Sequence, residues 1–369
     1  MIRREGGAGG FAAQKDFRSM CRINDFGNVT ETGARVVKRA VTLHDIAREA
    51  GVSFNTVSRA INGKPDVSDE TRRHVLEVAR RLDYHPNQLA RGLRRRRTAT
   101  IGVIVADLAN PFFAEVVEGI DRVCTARGYG LVLANTEEDP VREAAAVRSL
   151  VERQVDGILM APTQRDLAPL IYLSRRGIPF SLLARFFKEF EAQAVINDDR
   201  EGARLAVAHL LARGRRRILF LNGPPYNSSA QLRLEGYLLA HAEAGLPVDE
   251  TLILATNARM DGGEAAVEAA LRKGLEFSAV FCFSDYVGFG AIRALRRAGL
   301  RIPADAAVMG YDDVAFAELM NPPLSTVRIA KTRLGATAAE ALLARIECTA
   351  KDGETLITLP PELVVRESA

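Results

Sequence analysis

The chain has 369 residues, 47% of them hydrophobic and 26% charged, the balance of a globular protein long enough for two or three domains with their own cores. No run of about 18 apolar residues occurs, which argues against a membrane-spanning helix. The basic start, MIRREGGAGGFAAQKDFRSM, lacks the apolar stretch of a secretory signal, so a cytoplasmic protein is expected.

The four cysteines (Cys21, Cys124, Cys282, Cys348) lie far apart without a CxxC pair, and the five histidines show no HExxH spacing. Neither a disulfide framework nor a metal site is indicated, and no cofactor is expected. The net charge of +4 hides an asymmetry, because residues 35–97 carry roughly +8 and residues from 98 onward roughly −5. Such a split points to a polyanion-binding module joined to a body of different character.

In chain order, residues 1–40 are Gly-rich and aperiodic, and disorder is expected there. TLHDIAREA then places Leu43, Ile46, Ala47 and Ala50 at helical spacing, with Thr42 as N-cap. Gly51 breaks this helix, and Ser53 caps a second from Phe54 to about Ile61. Ser68, with Thr71 three residues on, opens a third that carries Val75, Leu76, Val78, Ala79 and Leu82. Pro86 precedes NQLARGLRRRR, a short helical pattern that ends in four consecutive arginines.

After Thr98 the texture changes. TIGVIVAD, GLVLANT, DGILMAPT, IPFSLLA, RRILFLNGP, ETLILA, SAVFCFSD and AAVMGYDD are short, nearly continuous apolar runs. They alternate with helical patterns such as PFFAEVVEGIDRVCTARG and REGARLAVAHLLARG, as parallel strands covered on both faces do. Polar residues close many of these runs, and the carboxyl ends of strands are where open α/β sheets bind ligands.

Two short helices joined at a Gly-containing turn form a helix-turn-helix, whose second helix lies in the DNA major groove. In GVSFNTVSRAING, Val52, Val57 and Ile61 are expected to pack inward while Phe54, Asn55, Ser58 and Arg59 face the groove. Arg reads guanine bidentately and Asn reads adenine. Thr42, Ser53, Thr56 and Asn62 are assigned to the DNA contact as well, the last three as phosphate holders.

From TLHDIAREAGVSFNTVSRAINGKPDVSDETRRHVLEVARRLDYHPNQLARGLRRRRTATIGVIVADLANPFFAE onward, the chain resembles the lactose/galactose-repressor family of bacterial transcription regulators. NDDREGARLAVAHLLARGRRRILFLNGP, RLEGYLLAHAEAGLPVD, MGYDDVAFAELMNPPLSTVR and LPPELVVRES carry the resemblance over residues 41–369.

It implies an all-α helix-turn-helix headpiece over 41–85, a hinge helix over 86–97, and an α/β core over 98–369. The core would hold two parallel-sheet subdomains like those of periplasmic binding proteins. One spans about 98–198 with a return segment near 327–350, the other about 199–326 with the C-terminal end. In the hinge the resemblance assigns Leu93 as a minor-groove wedge, with Asn87, Ala90 and Arg91 beside it; such a wedge bends DNA by unstacking a base step. Gly92 lowers helix propensity there by about 1 kcal/mol relative to Ala, which makes hinge folding more dependent on DNA.

In the core the resemblance maps Arg233 of QLRLEGY onto the arginine that grips a small-molecule effector and Asp312 of GYDD onto its partner across the cleft. Asp107, Asn110 and Phe112 would line one wall, with Phe113 as core; Asn227 and Ser229 flank Arg233, and Ser284 precedes Asp285. Asp285 either touches ligand or holds structure at a helix N-terminus, and Asp312-Asp313 either meets ligand or caps the following turn. Arg and carboxylate pairs suit hydroxyl- or carboxylate-bearing metabolites, a sugar or sugar derivative first. Three positions depart from the family pattern: Ala184 stands where an acid often binds sugar hydroxyls, Ala258 where an aromatic platform is common, and Ile329 where glutamine is common.

The same alternation of strands and helices builds enzymes and transport proteins. GFGAIR, from Gly288, lacks the third glycine of a dinucleotide fingerprint, Gly63-Lys64 lacks the upstream glycine of a P-loop, and no GxSxG elbow occurs. The sequence therefore predicts a homodimeric, non-enzymatic regulator that binds a near-palindromic double-stranded DNA operator and responds to an effector. If Arg59 reads a base, Arg59→Ala costs about 1–3 kcal/mol of specific binding, seen by titrating operator against scrambled DNA at fixed salt; equal weakening on both would assign it to phosphate instead.

Overall fold

A computed structural model describes residues 41–84, 97–349 and 356–369. The disorder expected over 1–40 and the hinge helix with Asn87, Ala90, Arg91 and Leu93 lie outside the described residues. Contacts divide the chain between Pro86 and Asn87 into an N-terminal unit and a C-terminal core.

The N-terminal unit holds α1 (Leu43–Ala50), α2 (Phe54–Ile61) and α3 (Asp69–Arg81). Each begins on a hydroxyl cap. Thr42 and Asp45 form a capping box, in which Thr42 N–H donates to Asp45 Oδ2 (2.9 Å) and Asp45 N–H donates to Thr42 Oγ1 (3.4 Å). Ser53 Oγ accepts from Thr56 N–H (3.1 Å) and Ser68 Oγ from Thr71 N–H (3.2 Å). Gly51 ends α1 at φ 65°, the left-handed conformation glycine adopts without strain, and this turns the chain into α2. Ile46, Val57 and Val75, one from each helix, form a fully buried centre with small alanines around it.

The core runs β1 (Thr100–Val105), α4 (Pro111–Ala126), β2 (Gly130–Asn135), α5 (Pro140–Glu152), β3 (Gly157–Met160), α6 (Ala168–Arg175), β4 (Phe180–Leu183), β5 (Ala194–Asn197), α7 (Asp199–Ala212), β6 (Ile218–Asn222), α8 (Ser228–Glu243), β7 (Ile253–Ala255), α9 (Met260–Arg272), β8 (Ala279–Cys282), α10 (Asp285–Arg297), β9 (Ala307–Met309), β10 (Thr326–Arg328), α11 (Lys331–Ile346), β11 (Ile357–Leu359) and β12 (Glu362–Val364). Two parallel sheets result, β11-β5-β4-β3-β1-β2 in an N-lobe and β7-β6-β8-β9 in a C-lobe. The chain crosses between lobes after β5, between β10 and α11, and between β11 and β12; β10 and β12 pair antiparallel.

The continuous apolar runs are the inner strands: β1, β3, β4, β6 and β8 are buried almost throughout, while edge strands β2 and β7 are only partly covered. Among the described residues four further strands, β5, β10, β11 and β12, escape the sequence pattern. Each has three or four residues, too few for periodicity to separate strand from loop. No helix among the described residues is long and apolar enough to cross a membrane.

α11 returns to the N-lobe and lies against α4 in backbone contact. A Cβ on Gly335 would stand 2.0 Å from Val116 O, and one on Gly119 would stand 1.9 Å from Thr332 O. Gly335→Ala is therefore expected to destabilise the core by about 1–3 kcal/mol, read as a lower urea midpoint with unchanged slope.

The N-lobe also buries a carboxyl. Glu143 on α5 is fully enclosed, and it accepts from Thr163 N–H (2.6 Å) and Thr163 Oγ1 (3.2 Å). Burial raises its pKa from 4.5 to about 7, outweighing the bonds from Thr163 and the charge of Arg185. The folded chain then holds a proton that the unfolded chain releases, so this group's contribution to stability is full below pH 4.5 and fades as pH rises to about 7. Glu143→Gln, neutral throughout, should gain on the natural chain across that interval in urea midpoints; parallel pH profiles would mean the carboxyl is already ionised.

Candidate functional site

In the N-terminal unit α2 presents Asn55 and Arg59 to solvent, with Phe54 half-exposed and stacked on His44 of α1 at a ring distance of 4.6 Å. Arg59 forms an exposed ion pair with Asp66. Thr42, Ser53 and Thr56 sit at the starts of α1 and α2 with their hydroxyls engaged in capping bonds, and Asn62 closes α2 with its Nδ2 donating to Ser58 O (2.6 Å). Ser58 corrects the sequence reading: it is buried beside Val57 and Ala60 rather than facing outward. The inward arc of an eight-residue helix takes in the residue next to its central valine, and a serine hydroxyl is small enough to go with it. The outward face is therefore Phe54, Asn55 and Arg59.

In the core a cavity of about 40 Å³ lies between the lobes, at the carboxyl ends of their strands. The N-lobe contributes Asn110, Phe112 and Phe113 from the start of α4, Ala184 and Arg185 after β4, and Asn197 at the end of β5. The C-lobe contributes Asp199 of α7, Ser229 and Arg233 of α8, Phe283 and Ser284 after β8, and Asp312 after β9.

Arg233 is the centre of the C-lobe wall. It is buried, donates from Nε (3.0 Å) and Nη2 (2.8 Å) to Asp199 Oδ1, lies 3.8 Å from Asp312 Oδ1, and donates to the Phe283 carbonyl. Its guanidinium stacks over the rings of Tyr311 (3.6 Å) and Phe283 (4.4 Å). Asp312 is held at φ 103°, and burial pushes its carboxyl up to about 7 against the pull of Arg233 and Lys331. On the N-lobe wall, Arg185 is neutralised by Glu138 through two bonds (2.9 and 2.7 Å), and the buried Asn197 Oδ1 has no protein partner among the described residues.

Polar contacts already join the lobes. Asp107, just outside the cavity, pairs with Arg259 (3.1 Å), Ser229 Oγ donates to Ala184 O (3.0 Å), and Ser228 N–H donates to Gln164 Oε1 (2.8 Å).

Of the residues expected at the effector, Asn110, Phe112, Ser229, Arg233, Ser284 and Asp312 line the cavity. Asn227 does not; it is buried as the N-cap of α8 and accepts from Ser229 N–H (2.9 Å). Asp285 does not either. It is fully buried, with Oδ1 accepting from Thr326 Oγ1 (2.6 Å) and Oδ2 from Val314 N–H (2.8 Å), so of its two readings the structural one fits.

The expectation of Phe113 as core is incomplete, because it also lines the cavity. Ile329 is buried core, while Ala258 packs at the edge of the C-lobe core outside the cavity. Sequence reasoning passed over Arg185, Asn197, Asp199 and Phe283. The polar residues that close LLAR and VINDD were the available signal, since each follows a strand.

Residues 42–87 match the family described as "Bacterial regulatory proteins, lacI family", and residues 98–362 match "Periplasmic binding proteins and sugar binding domain of LacI family". A ribose operon repressor from Haemophilus influenzae is 38% identical over 327 residues, covering 89% of this chain and 98% of its own. The HTH-type transcriptional repressor PurR from Vibrio cholerae is 36% identical over 332 residues, covering 89% and 97%. Among solved structures, the lac repressor dimer bound to operator and the anti-inducer ONPF is 30% identical with a TM-score of 0.81, covering 89% of this chain and 99% of its own. The capped helix pair with its outward Asn and Arg, the two-lobed parallel core and these matches together make the chain a member of the LacI family of bacterial transcription regulators.

Proposed function

We propose that the protein is a ligand-responsive repressor that binds a near-palindromic operator as a homodimer and carries a sugar-like effector between its lobes. The observation that carries this reading is the coexistence, in one chain, of an exposed Asn55–Arg59 face on a capped helix and a cleft lined by the buried Arg233 and by Asn197, whose Oδ1 has no partner among the described residues.

In this reading Phe54, Asn55 and Arg59 meet base edges, Ser53, Thr56 and Asn62 hold phosphates with Thr42 also at the DNA contact, and Asn87, Ala90, Arg91 and Leu93 supply the linker contact. The protein acts in the cytoplasm, without a cofactor and without catalysing a reaction.

The cavity's about 40 Å³ is far below the roughly 300 Å³ from which metabolite sites start, so admitting an effector requires the lobes to part. An effector that favours one lobe arrangement shifts the population of that arrangement, and DNA affinity with it. Four relatives, among them those from Haemophilus influenzae and Escherichia coli, are named as ribose operon repressors, which makes D-ribose the first candidate. The cavity's mix of Arg233, Asp312, Asn197 and Asn110 with three phenylalanines suits a hydroxylated ring. Ala184 brings no carboxylate to that wall, so a sugar derivative or another polar metabolite is the second candidate.

The test is operator binding at fixed salt with D-ribose, other sugars, sugar phosphates and nucleobases. One compound should change operator affinity, and Arg233→Ala should weaken that compound's binding, measured by calorimetry, by about 1.5–3 kcal/mol, roughly tenfold or more. If Arg233→Ala binds it normally, the effector does not sit in this cleft.

A further inference from the structure

Lys331 opens α11, and its side chain is only 4% exposed. Its ammonium donates to the carbonyl oxygens of Asp312 and Asp313, both at 2.7 Å, and pairs with Glu115 on α4 at 3.3 Å. Three partners use its three donors. Asp312 belongs to the C-lobe wall of the cavity, and Glu115 follows Phe112 of the N-lobe wall within one turn of α4. Lys331 thus ties both walls, from behind, to the first residue of one helix.

The far end of that helix is tied as well. Arg97 Nη2 donates to Ile346 O (2.7 Å), and the Asp156 carboxylate accepts from the N–H groups of Thr98 and Ala99, both at 2.8 Å. Arg127, at the end of α4, pairs with Glu347 just beyond α11 (3.6 Å). Arg97 to Ala99 is where the chain coming from the N-terminal unit enters the first strand of the core. α11 has 16 residues, about 24 Å of helix, and its first turns lie in backbone contact with α4 at Gly335 and Gly119.

We propose that Lys331 is a positioning residue for the effector response: it makes α11 follow the Asp312 loop, so that a change at the cleft alters the grip on the chain at Arg97–Ala99. The proposal rests on the reading of the cleft as the effector site. Coupling of this kind is reciprocal, so a change at either end is felt at the other.

The test is hydrogen exchange on the full-length protein without any metabolite. Lys331→Met should speed exchange not only at 311–315 but also at 97–100 and 343–347, by roughly threefold or more, with Lys331→Arg restoring slow exchange at both ends. Should the methionine variant fold poorly, Arg97→Gln on the exposed side supplies the reverse test, with faster exchange expected at 311–315 and 331–334. Changes confined to the neighbourhood of the substituted residue would overturn the proposal. Failure of the effector reading would appear elsewhere, as an operator affinity that no metabolite alters, and would leave these exchange rates as they are.

Discussion

A guanidinium withdrawn from water is costly unless its donors and charge are matched, and the core is arranged around meeting that demand for Arg233. Asp199 comes from the start of α7, Asp312 and Tyr311 from the loop after β9, and Phe283 from the end of β8. Three segments remote in sequence therefore converge on one cation, two of them from the shared carboxyl edge of the parallel C-lobe strands. The result is a rigid polar wall on one lobe. The facing wall mixes apolar Phe112, Phe113 and Ala184 with polar Asn110 and Asn197, and its Arg185 is already paired with Glu138.

The loop that carries Asp312 stores backbone strain. Asp312 and Asp313 both have positive φ, at 103° and 52°, conformations that cost a non-glycine residue of the order of 1–3 kcal/mol and persist only when neighbours over-determine them. The neighbours are on hand: Arg328 and Arg366 grip the Asp313 carboxylate at 2.7 Å each, and Lys331 takes both backbone carbonyls. All three belong to the inter-lobe connections or to the C-terminal segment that follows them. The strained loop, the C-lobe wall of the cleft and the connections between the lobes are therefore one assembly.

The N-terminal unit solves a different problem. It is small, its centre is three aliphatic side chains and a few alanines, and its helices depend on hydroxyl caps at their first turns. Among the described residues the Arg59 side chain pairs with Asp66, in an exposed pair that is worth little in water. The polar groups on the outward face of α2 are thus loosely held, whereas those of the cleft are buried and firmly paired.

Several features follow from local sequence alone. The three capped helices of the N-terminal unit, the left-handed Gly51 and the buried inner strands rest on hydrogen bonds and apolar periodicity within a dozen residues, so the chain declares them directly. Arg233, Asp312 and Ser284 were legible because each sits in a recognisable motif.

What local pattern could not declare is what depends on distant partners. Ser58 turns inward because α1 and α3 close over that face of α2. β5, β10, β11 and β12 are strands only because neighbours lend them hydrogen bonds. Asp285 and Asn227 serve structure because Thr326, Val314 and Ser229 come to meet them. Asp199, Arg185 and Lys331 acquire their places only once both lobes are assembled. Periodicity and capping are short-range and repeat along the chain, whereas the pairing of buried charge is decided by which strand ends the tertiary fold brings to one edge.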